Sequence, residues 1–222
     1  MSITNDYYQA LFAEHIRDAF KDKGNRKNMH VLIWGIRLVV KKKYKKAIRI
    51  FDYLERKCST NDDFCVVHTF KSSCLQELGY NELAIEGYKK VLHYDSNRPQ
   101  VLSNLGLLYK DLGEYDNAIK YYTRSIGLDS SNPYPINNIA HLYYCMGEFE
   151  NAKKYALTAL KIKGNLYAAS NCACLSSYAL GDDKEGDKYY KISLLNGADR
   201  DALNNAVETA KALYDLDEID CD

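Results

Sequence analysis

A period of 34 residues constrains this chain more than any other feature of its sequence. Gly79, Gly113, Gly147 and Gly181 follow one another at this distance, and the residues around them repeat as well. LGEYDNAIKYY at 112–122 returns as MGEFENAKKYA at 146–156. The glycines either form the turn of a repeated structural unit or belong to a copied catalytic loop. The sequence contains neither GxGxxG nor GxxxxGK[ST], the glycine patterns that bind phosphates, so the structural explanation is favoured.

Each period has the pattern of two helices joined by a glycine turn. When Pro99 is counted as position 1, apolar or small residues recur on one helical face at Leu102, Leu105, Gly106 and Tyr109. Gly113 then ends the first helix, because glycine tolerates the positive φ found at helix C-termini. A second helix begins near Tyr115, and its own face carries Ala118, Tyr122 and Ser125.

The pattern extends over most of the chain. Repeats of this type begin near residues 28, 65, 99, 133 and 167 and cover residues 28–197, with about three extra residues in the loop at 58–63. Residues 4–22 predict an amphipathic N-terminal helix, residues 199–216 a capping helix, and residues 217–222 an acidic tail. No linker rich in Gly, Ser or Pro divides the sequence, so residues 1–222 are expected to form one domain.

These repeats resemble tetratricopeptide repeats, on the evidence of the 34-residue period and four recurring positions. The shared residues are a small side chain at position 8, Tyr at 11, Gly-x-Tyr/Phe at 15–17 and Ala at 20. The resemblance implies an all-α, right-handed α-solenoid of about five helix pairs, with the N-terminal helix and the capping helix at its ends. It also implies a concave groove lined by the first helix of each pair.

Composition excludes several classes of protein. The 30 basic and 30 acidic side chains cancel, so long-range attraction to nucleic acid or to an anionic membrane is not expected. No apolar run reaches the length of a membrane span, and no signal peptide is visible. The seven cysteines are irregularly spaced, which suits free thiols in a reducing cytoplasm. A cytoplasmic protein is therefore predicted.

In the family that the repeats resemble, positions 2, 5, 6, 9, 12 and 13 of each repeat face the groove. From the side chains at these positions we predict a peptide-binding surface of ten residues: Phe70, Asn104, Lys110, Tyr134, Asn137, Asn138, His141, Tyr144, Asn171 and Tyr178. Asparagine can donate to and accept from an extended peptide backbone, and tyrosine is common at binding hot spots. The alternative is that these asparagines simply face water.

The first repeat is different at the same positions, which are almost entirely apolar: Met29, Leu32, Ile33, Ile36, Val39 and Val40. So many apolar side chains are not expected to stay exposed on a monomer. Either the N-terminal helix covers them or they form a partner or homodimer interface.

Two further clusters allow other interpretations. KKKYKK at 41–46 could contact phosphates or act as a localisation signal, but it spans the turn between the two helices of the first repeat, where solvated lysines are the expected explanation. His141 and Cys145 lie four residues apart, with Cys172 one repeat later, and could form a metal or thiol site. No fourth metal ligand, third catalytic group or oxyanion hole is evident. The prediction is therefore no catalytic residue, no metal and no cofactor.

The sequence thus predicts a non-enzymatic scaffold or adaptor that binds a protein or peptide segment in its groove, without nucleic-acid or membrane partners. Two alternatives stay open. One is a metal- or thiol-dependent protein that uses the His141/Cys145/Cys172 pocket. The other is a self-association module, in which the apolar surface of the first repeat forms a homodimer.

Overall fold

A computed structural model of the chain describes the backbone of residues 26–219 and the side chains of residues 27–214. The N-terminal helix predicted at 4–22 and the end of the predicted tail, residues 220–222, lie outside this range. Eleven α-helices and no strand occupy the described part. Their bounds are α1 Arg26–Val40, α2 Tyr44–Glu55, α3 Asn61–Glu77, α4 Asn81–Tyr94, α5 Pro99–Asp111, α6 Tyr115–Leu128, α7 Pro133–Cys145, α8 Phe149–Ile162, α9 Tyr167–Ala179, α10 Asp183–Leu195 and α11 Arg200–Ile219.

The chain divides into two compact units, Met1–Leu108 and Tyr109–Asp222. In the first unit α1 packs on α2, α2 on α3 and α3 on α4. In the second unit α7 packs on α6 and α8, while α9 packs on α8, α10 and α11. The predicted all-α class, built from successive helix pairs, is confirmed. That residues 1–222 form one domain stays a prediction.

The periodic glycines lie in the turns between paired helices, and Gly113 shows why glycine is used there. Its φ is 76°, a left-handed conformation that costs a side chain energy but glycine little. The turn lets Glu114 N–H donate to the Tyr109 carbonyl at 2.9 Å, which satisfies an acceptor at the end of α5. The first pair is the exception, because Lys42 takes this position with φ 55°.

The extra residues between the first two repeats form a loop at 58–60 that is shorter than the predicted 58–63, because residues 61–63 belong to α3. Thr60 caps α3 by accepting a hydrogen bond from Asp63 N–H at 3.1 Å. The Asp63 carboxylate accepts in return from the N–H groups of Ser59 and Thr60, which completes a capping box. The helix therefore begins at Asn61, one turn before the expected start at 65.

Each unit has its own apolar core. In the first unit Leu32, Ile36 and Val39 are buried beside Phe51 and Phe70. Three of the six apolar positions expected to be covered by the N-terminal helix or by a partner are thus part of the core. Among the other three, Met29 and Ile33 are half-buried and Val40 is exposed. In the second unit the core contains many small side chains, including Ala140, Ala152 and Ala156, which let neighbouring helices approach closely.

Candidate functional site

The surface of interest lies on α7 and α9 in the second unit. Asn132 caps α7 by accepting from Tyr134 N–H at 3.0 Å, and Pro133 occupies the first turn. Ile136, Ile139 and Ala140 are buried. The side chains at 137, 141 and 144 follow one another at helical spacing on a different face, where they are half-buried or exposed.

Two of the ten residues predicted to bind peptide are not at the surface. Phe70 is 1% exposed and stacks on Phe51 in the core, with ring centroids 6.0 Å apart. Tyr178 is 4% exposed, and its hydroxyl donates to Asp187 Oδ1 at 2.6 Å. Burial of the Tyr178 ring excludes it from contact with a peptide, so the predicted surface loses both residues. The position pattern alone could not show that these aromatic side chains turn inward.

Asn104 and Asn138 are bound to the fold rather than free for a ligand. Asn104 Nδ2 donates to the Tyr88 hydroxyl at 2.9 Å, and Asn138 Nδ2 donates to the Tyr122 hydroxyl at 3.2 Å. In both cases the tyrosine precedes the asparagine by 16 residues and lies on the second helix of the previous repeat. This pairing was not predicted, although the recurring 16-residue offset between Tyr and Asn was a signal for it.

Asn137 and Asn171 occupy equivalent positions one repeat apart and behave differently. Both residues are half-buried, and the side-chain oxygen of each is buried. Neither oxygen accepts a hydrogen bond from any residue that the structure describes. An unpaired buried carbonyl typically costs about 1–3 kcal/mol, so these two amides are not explained by stability.

His141, Cys145 and Tyr144 extend the same face toward the end of α7. The Sγ of Cys145 lies 3.5 Å from His141 Nδ1, and both residues are exposed. Partial burial lowers the pKa of His141, and the nearby Lys110 ammonium lowers it further, so the imidazole is neutral at pH 7. The Tyr144 ring packs at a tilt on Phe149, with centroids 5.5 Å apart, which holds it in place.

The remaining predicted residues lie at the edges of this face. Lys163 Nζ donates to the Tyr134 hydroxyl at 2.9 Å and lies 5.2 Å from the centre of its ring. Lys110 Nζ is 3.5 Å from the Asp111 carboxylate. Both polar groups are therefore partly paired, and Lys110 keeps a positive charge near His141.

The alternative of a metal or thiol site gains no support from the geometry. Cys172 is buried, and burial raises the pKa of its thiol to about 12, so the sulfur stays protonated at neutral pH. Over the part of the chain with described side chains, no three His, Cys, Asp or Glu residues are grouped as metal ligands would be. The six cysteines found there are all free thiols.

Two family models named tetratricopeptide repeat match adjacent stretches of the chain, residues 99–132 and 135–166. No curated protein has a significant match to the sequence. Among solved structures, a crystal structure of MamA is 22% identical, with 73% of this chain and 93% of that chain covered and a TM-score of 0.65. PilF from Pseudomonas aeruginosa is 19% identical, with 86% and 89% covered and a TM-score of 0.67.

A third similar structure is MamA 41-end from Desulfovibrio magneticus RS-1, at 12% identity, with 77% of this chain and 95% of that chain covered and a TM-score of 0.66. Likeness at these identities concerns the fold alone. The chain thus contains two tetratricopeptide repeats, at residues 99–132 and 135–166, within a fold like that of these solved structures.

Proposed function

We propose that this protein is a non-enzymatic adaptor that binds an extended segment of a partner protein along α7 and α9 of the second unit. The binding residues are Asn137, His141, Tyr144 and Asn171, with Lys110 and Tyr134 at the margins. This set revises the sequence prediction by leaving out Phe70 and Tyr178, which are buried, and Asn104 and Asn138, which are bonded to tyrosines.

The unused hydrogen-bonding capacity of Asn137 and Asn171 carries the proposal. The Oδ1 of neither side chain accepts a hydrogen bond from the described residues, whereas the neighbouring Asn138 donates to the Tyr122 hydroxyl. Rotation of either amide about its Cβ–Cγ bond would turn the buried oxygen outward, so the side chain can offer either its donor or its acceptor to a ligand. Two such amides in successive repeats match the regular N–H and C=O groups of an extended backbone.

The rest of the face suggests what the bound segment carries. Tyr144 offers an aromatic surface with a polar tip, which suits an apolar or aromatic side chain of the ligand. His141 is neutral, so Lys110 supplies the fixed positive charge at this end. A mainly uncharged segment with one aromatic anchor is the expected ligand.

The experiment is selection of peptides from a random display library on the immobilised full-length protein. The affinity of an enriched peptide is then measured for the wild type and for Asn137→Ala/Asn171→Ala. We expect the double variant to bind at least about tenfold more weakly, since each lost ligand hydrogen bond contributes about 1 kcal/mol.

A matched control is available in Asn117→Ala/Asn151→Ala. These two asparagines also lie one repeat apart, on the second helices of their pairs, but their side chains donate to the N-cap residues Glu114 and Glu148. The control should bind the peptide as the wild type does. Equal binding by wild type, double variant and control would refute the proposed surface.

No helix within residues 26–219 combines the length and the apolar content that crossing a bilayer requires.

The cytoplasmic location and the homodimer stay predictions. The homodimer surface is also smaller than the sequence suggested, because Leu32, Ile36 and Val39 are buried in the first unit.

A further inference from the structure

The hairpin of α1 and α2 in the first unit presents an unusually basic surface. We define the basic face as the nine exposed Lys and Arg residues between positions 37 and 57: Arg37, Lys41, Lys42, Lys43, Lys45, Lys46, Arg49, Arg56 and Lys57. The exposed Tyr53 lies among them on α2. The second helices of the other repeats mix the two signs of charge on their exposed positions.

The acidic groups of this hairpin do not neutralise the basic face. Asp52 and Glu55 point toward α3, where each carboxylate lies 2.8 Å from Lys71 Nζ. The Glu77 carboxylate approaches the hairpin but accepts a hydrogen bond from the Tyr44 hydroxyl at 2.9 Å. None of the nine basic side chains forms an ion pair with a carboxylate of the described residues. Within the described residues, carboxylates therefore leave the charge of the basic face unneutralised.

Two features of the turn oppose local stability, which argues that the charge has another use. The first turns of α4, α6, α8 and α10 contain an acidic residue, as the helix dipole favours, whereas the first turn of α2 has none. Lys45 and Lys46 occupy that turn, where a positive charge is unfavourable. Lys42 adopts a left-handed φ of 55° at the position where the other four repeats have glycine.

Violations of local preference that cluster on one surface are expected at functional sites. We propose that the basic face binds an acidic, extended segment of a partner protein, separately from the surface on α7 and α9. Helix α2 is about 18 Å long at 1.5 Å per residue, which corresponds to about five residues of extended chain. Lysines predominate on the face, and an ammonium group pairs readily with single carboxylates.

Nucleic acid fits these observations less well than an acidic peptide. The whole chain has no net charge, so attraction to nucleic acid would depend on the basic face and its unit rather than on the molecule as a whole. Binding of single strands uses a series of stacked aromatic side chains, whereas residues 41–57 expose Tyr53 alone among their large aromatics. Repeats of this fold suit protein and peptide partners.

The test compares full-length protein with Lys45→Gln/Lys46→Gln/Arg49→Gln. A fluorescent Glu-rich decapeptide is the probe, read by anisotropy. We expect the triple variant to bind about tenfold more weakly, and wild-type binding to weaken as NaCl rises from about 50 to about 200 mM. Removing positive charge from the first turn of α2 does not oppose folding, so unfolding does not account for the loss.

The matched control is Lys120→Gln/Arg124→Gln/Lys154→Gln, which removes three exposed positive charges from α6 and α8. It should bind the decapeptide as the wild type does, and so should Asn137→Ala/Asn171→Ala. Equal binding by the two triple variants would overturn the proposal. So would tighter binding of decathymidine or of anionic lipid vesicles than of the peptide, or a wild-type dimer that the α2 substitutions dissociate.

Discussion

Asn137 and Asn138 are adjacent in sequence, yet only one of the two side chains is bonded to the fold. Asn138 reaches the hydroxyl of Tyr122, which is completely buried, and burial raises the pKa of that hydroxyl well above its usual value. The amide thereby satisfies a polar atom that lies in the core of the second unit. Asn137 satisfies no such atom, and its own oxygen is buried without a partner among the described residues.

The pairing of Asn138 with Tyr122 predicts a measurable coupling. Asn138→Ala should lower the free energy of unfolding by about 1–3 kcal/mol, because the Tyr122 hydroxyl is left without its donor. Tyr122→Phe should cost less, and Asn138→Ala should cost little once the hydroxyl is absent. A double-mutant cycle followed by urea denaturation should give about 0.5–3 kcal/mol of coupling, and additive effects would contradict the pairing.

Asn137→Ala, unlike Asn138→Ala, should not lower the stability of the fold. It removes a buried oxygen that accepts no hydrogen bond from the described residues, so the free energy of unfolding should change by less than about 0.5 kcal/mol or increase. The measurement is the same urea titration. A loss of several kcal/mol would show that Asn137 supports the fold and would remove it from the proposed surface.

At the scale of the helix, the fifth repeat shows how one pair adapts to an unusual residue. Gly186 replaces the alanine of the other repeats on α10, and the Tyr178 ring of α9 occupies the space that a side chain would need. A Cβ at residue 186 would lie 2.7 Å from that ring. Lys211 of α11 then covers the ring, with its Nζ 4.5 Å from the centroid.

This arrangement sets two known effects against each other in Gly186→Ala. Alanine gains about 1 kcal/mol of helix propensity, but overpacking against Tyr178 costs about 1–3 kcal/mol, so a net loss of stability is expected. Gly127→Ala is the control, because Gly127 lies in α6 with nothing within 4 Å of its Cβ position. Thermal unfolding should show Gly127→Ala stabilised and Gly186→Ala destabilised.

The sequence predicted the helix pairs because period, glycine turn and small residues at the contact all recur. The sequence prediction was wrong where a side chain at a groove position packs into the core instead, because the repeat pattern is the same in both cases. Tyr178 has the position of a groove residue but packs inward, since Gly186 across the pair leaves it room. Phe70 likewise packs on Phe51, because that junction has two aromatic rings where the next two junctions have Tyr and Asn. Such packing depends on which two side chains meet across a pair of helices, and the repeat pattern at single positions does not show this.

The junction between α2 and α3 contains a buried histidine. His68 Nε2 lies 3.0 Å from Glu55 Oε1, and its ring stacks on Phe64 with centroids 3.9 Å apart. Burial lowers the pKa of His68 below its ordinary 6.5, and Lys71 and Lys90 act in the same direction, although Glu55 opposes them. The pKa of Glu55 is itself lowered, because hydrogen bonds and charge from Lys71 and His68 outweigh its partial burial.

The unfolded chain therefore takes up a proton at His68 more readily than the folded chain. Stability should be full above pH 6.5 and fall as the pH drops below it, with a further loss below 4.5 from Glu55. Urea unfolding at about pH 7.5 and 5.5 measures the effect. The decrease in the free energy of unfolding between these pH values should be smaller in His68→Gln than in the wild type. The control is His93→Gln, which changes an exposed histidine and should behave as the wild type does. Equal falls in all three would exclude His68 as the cause.

At the scale of the whole molecule, the zero net charge is the sum of a basic first unit and an acidic second unit. Residues 1–108 contain 18 Lys and Arg against 12 Asp and Glu, and residues 109–222 contain 12 against 18. At neutral pH there is no net repulsion between copies, and the basic unit of one copy attracts the acidic unit of another. Such attraction is weak, non-specific and screened by salt.

Light scattering at neutral pH should therefore give a negative second virial coefficient at low ionic strength, which rises when about 0.15 M salt is added. The two triple variants distinguish the effect of net charge from that of charge distribution. Each has lost three positive charges, so their net charges are equal, but the charges are lost from different units. Lys45→Gln/Lys46→Gln/Arg49→Gln reduces the charge difference between the units by removing charge from the basic one, whereas Lys120→Gln/Arg124→Gln/Lys154→Gln increases it. The coefficient at low salt should be more positive in the first variant than in the second. Equal coefficients would mean that total charge alone governs the interaction between copies.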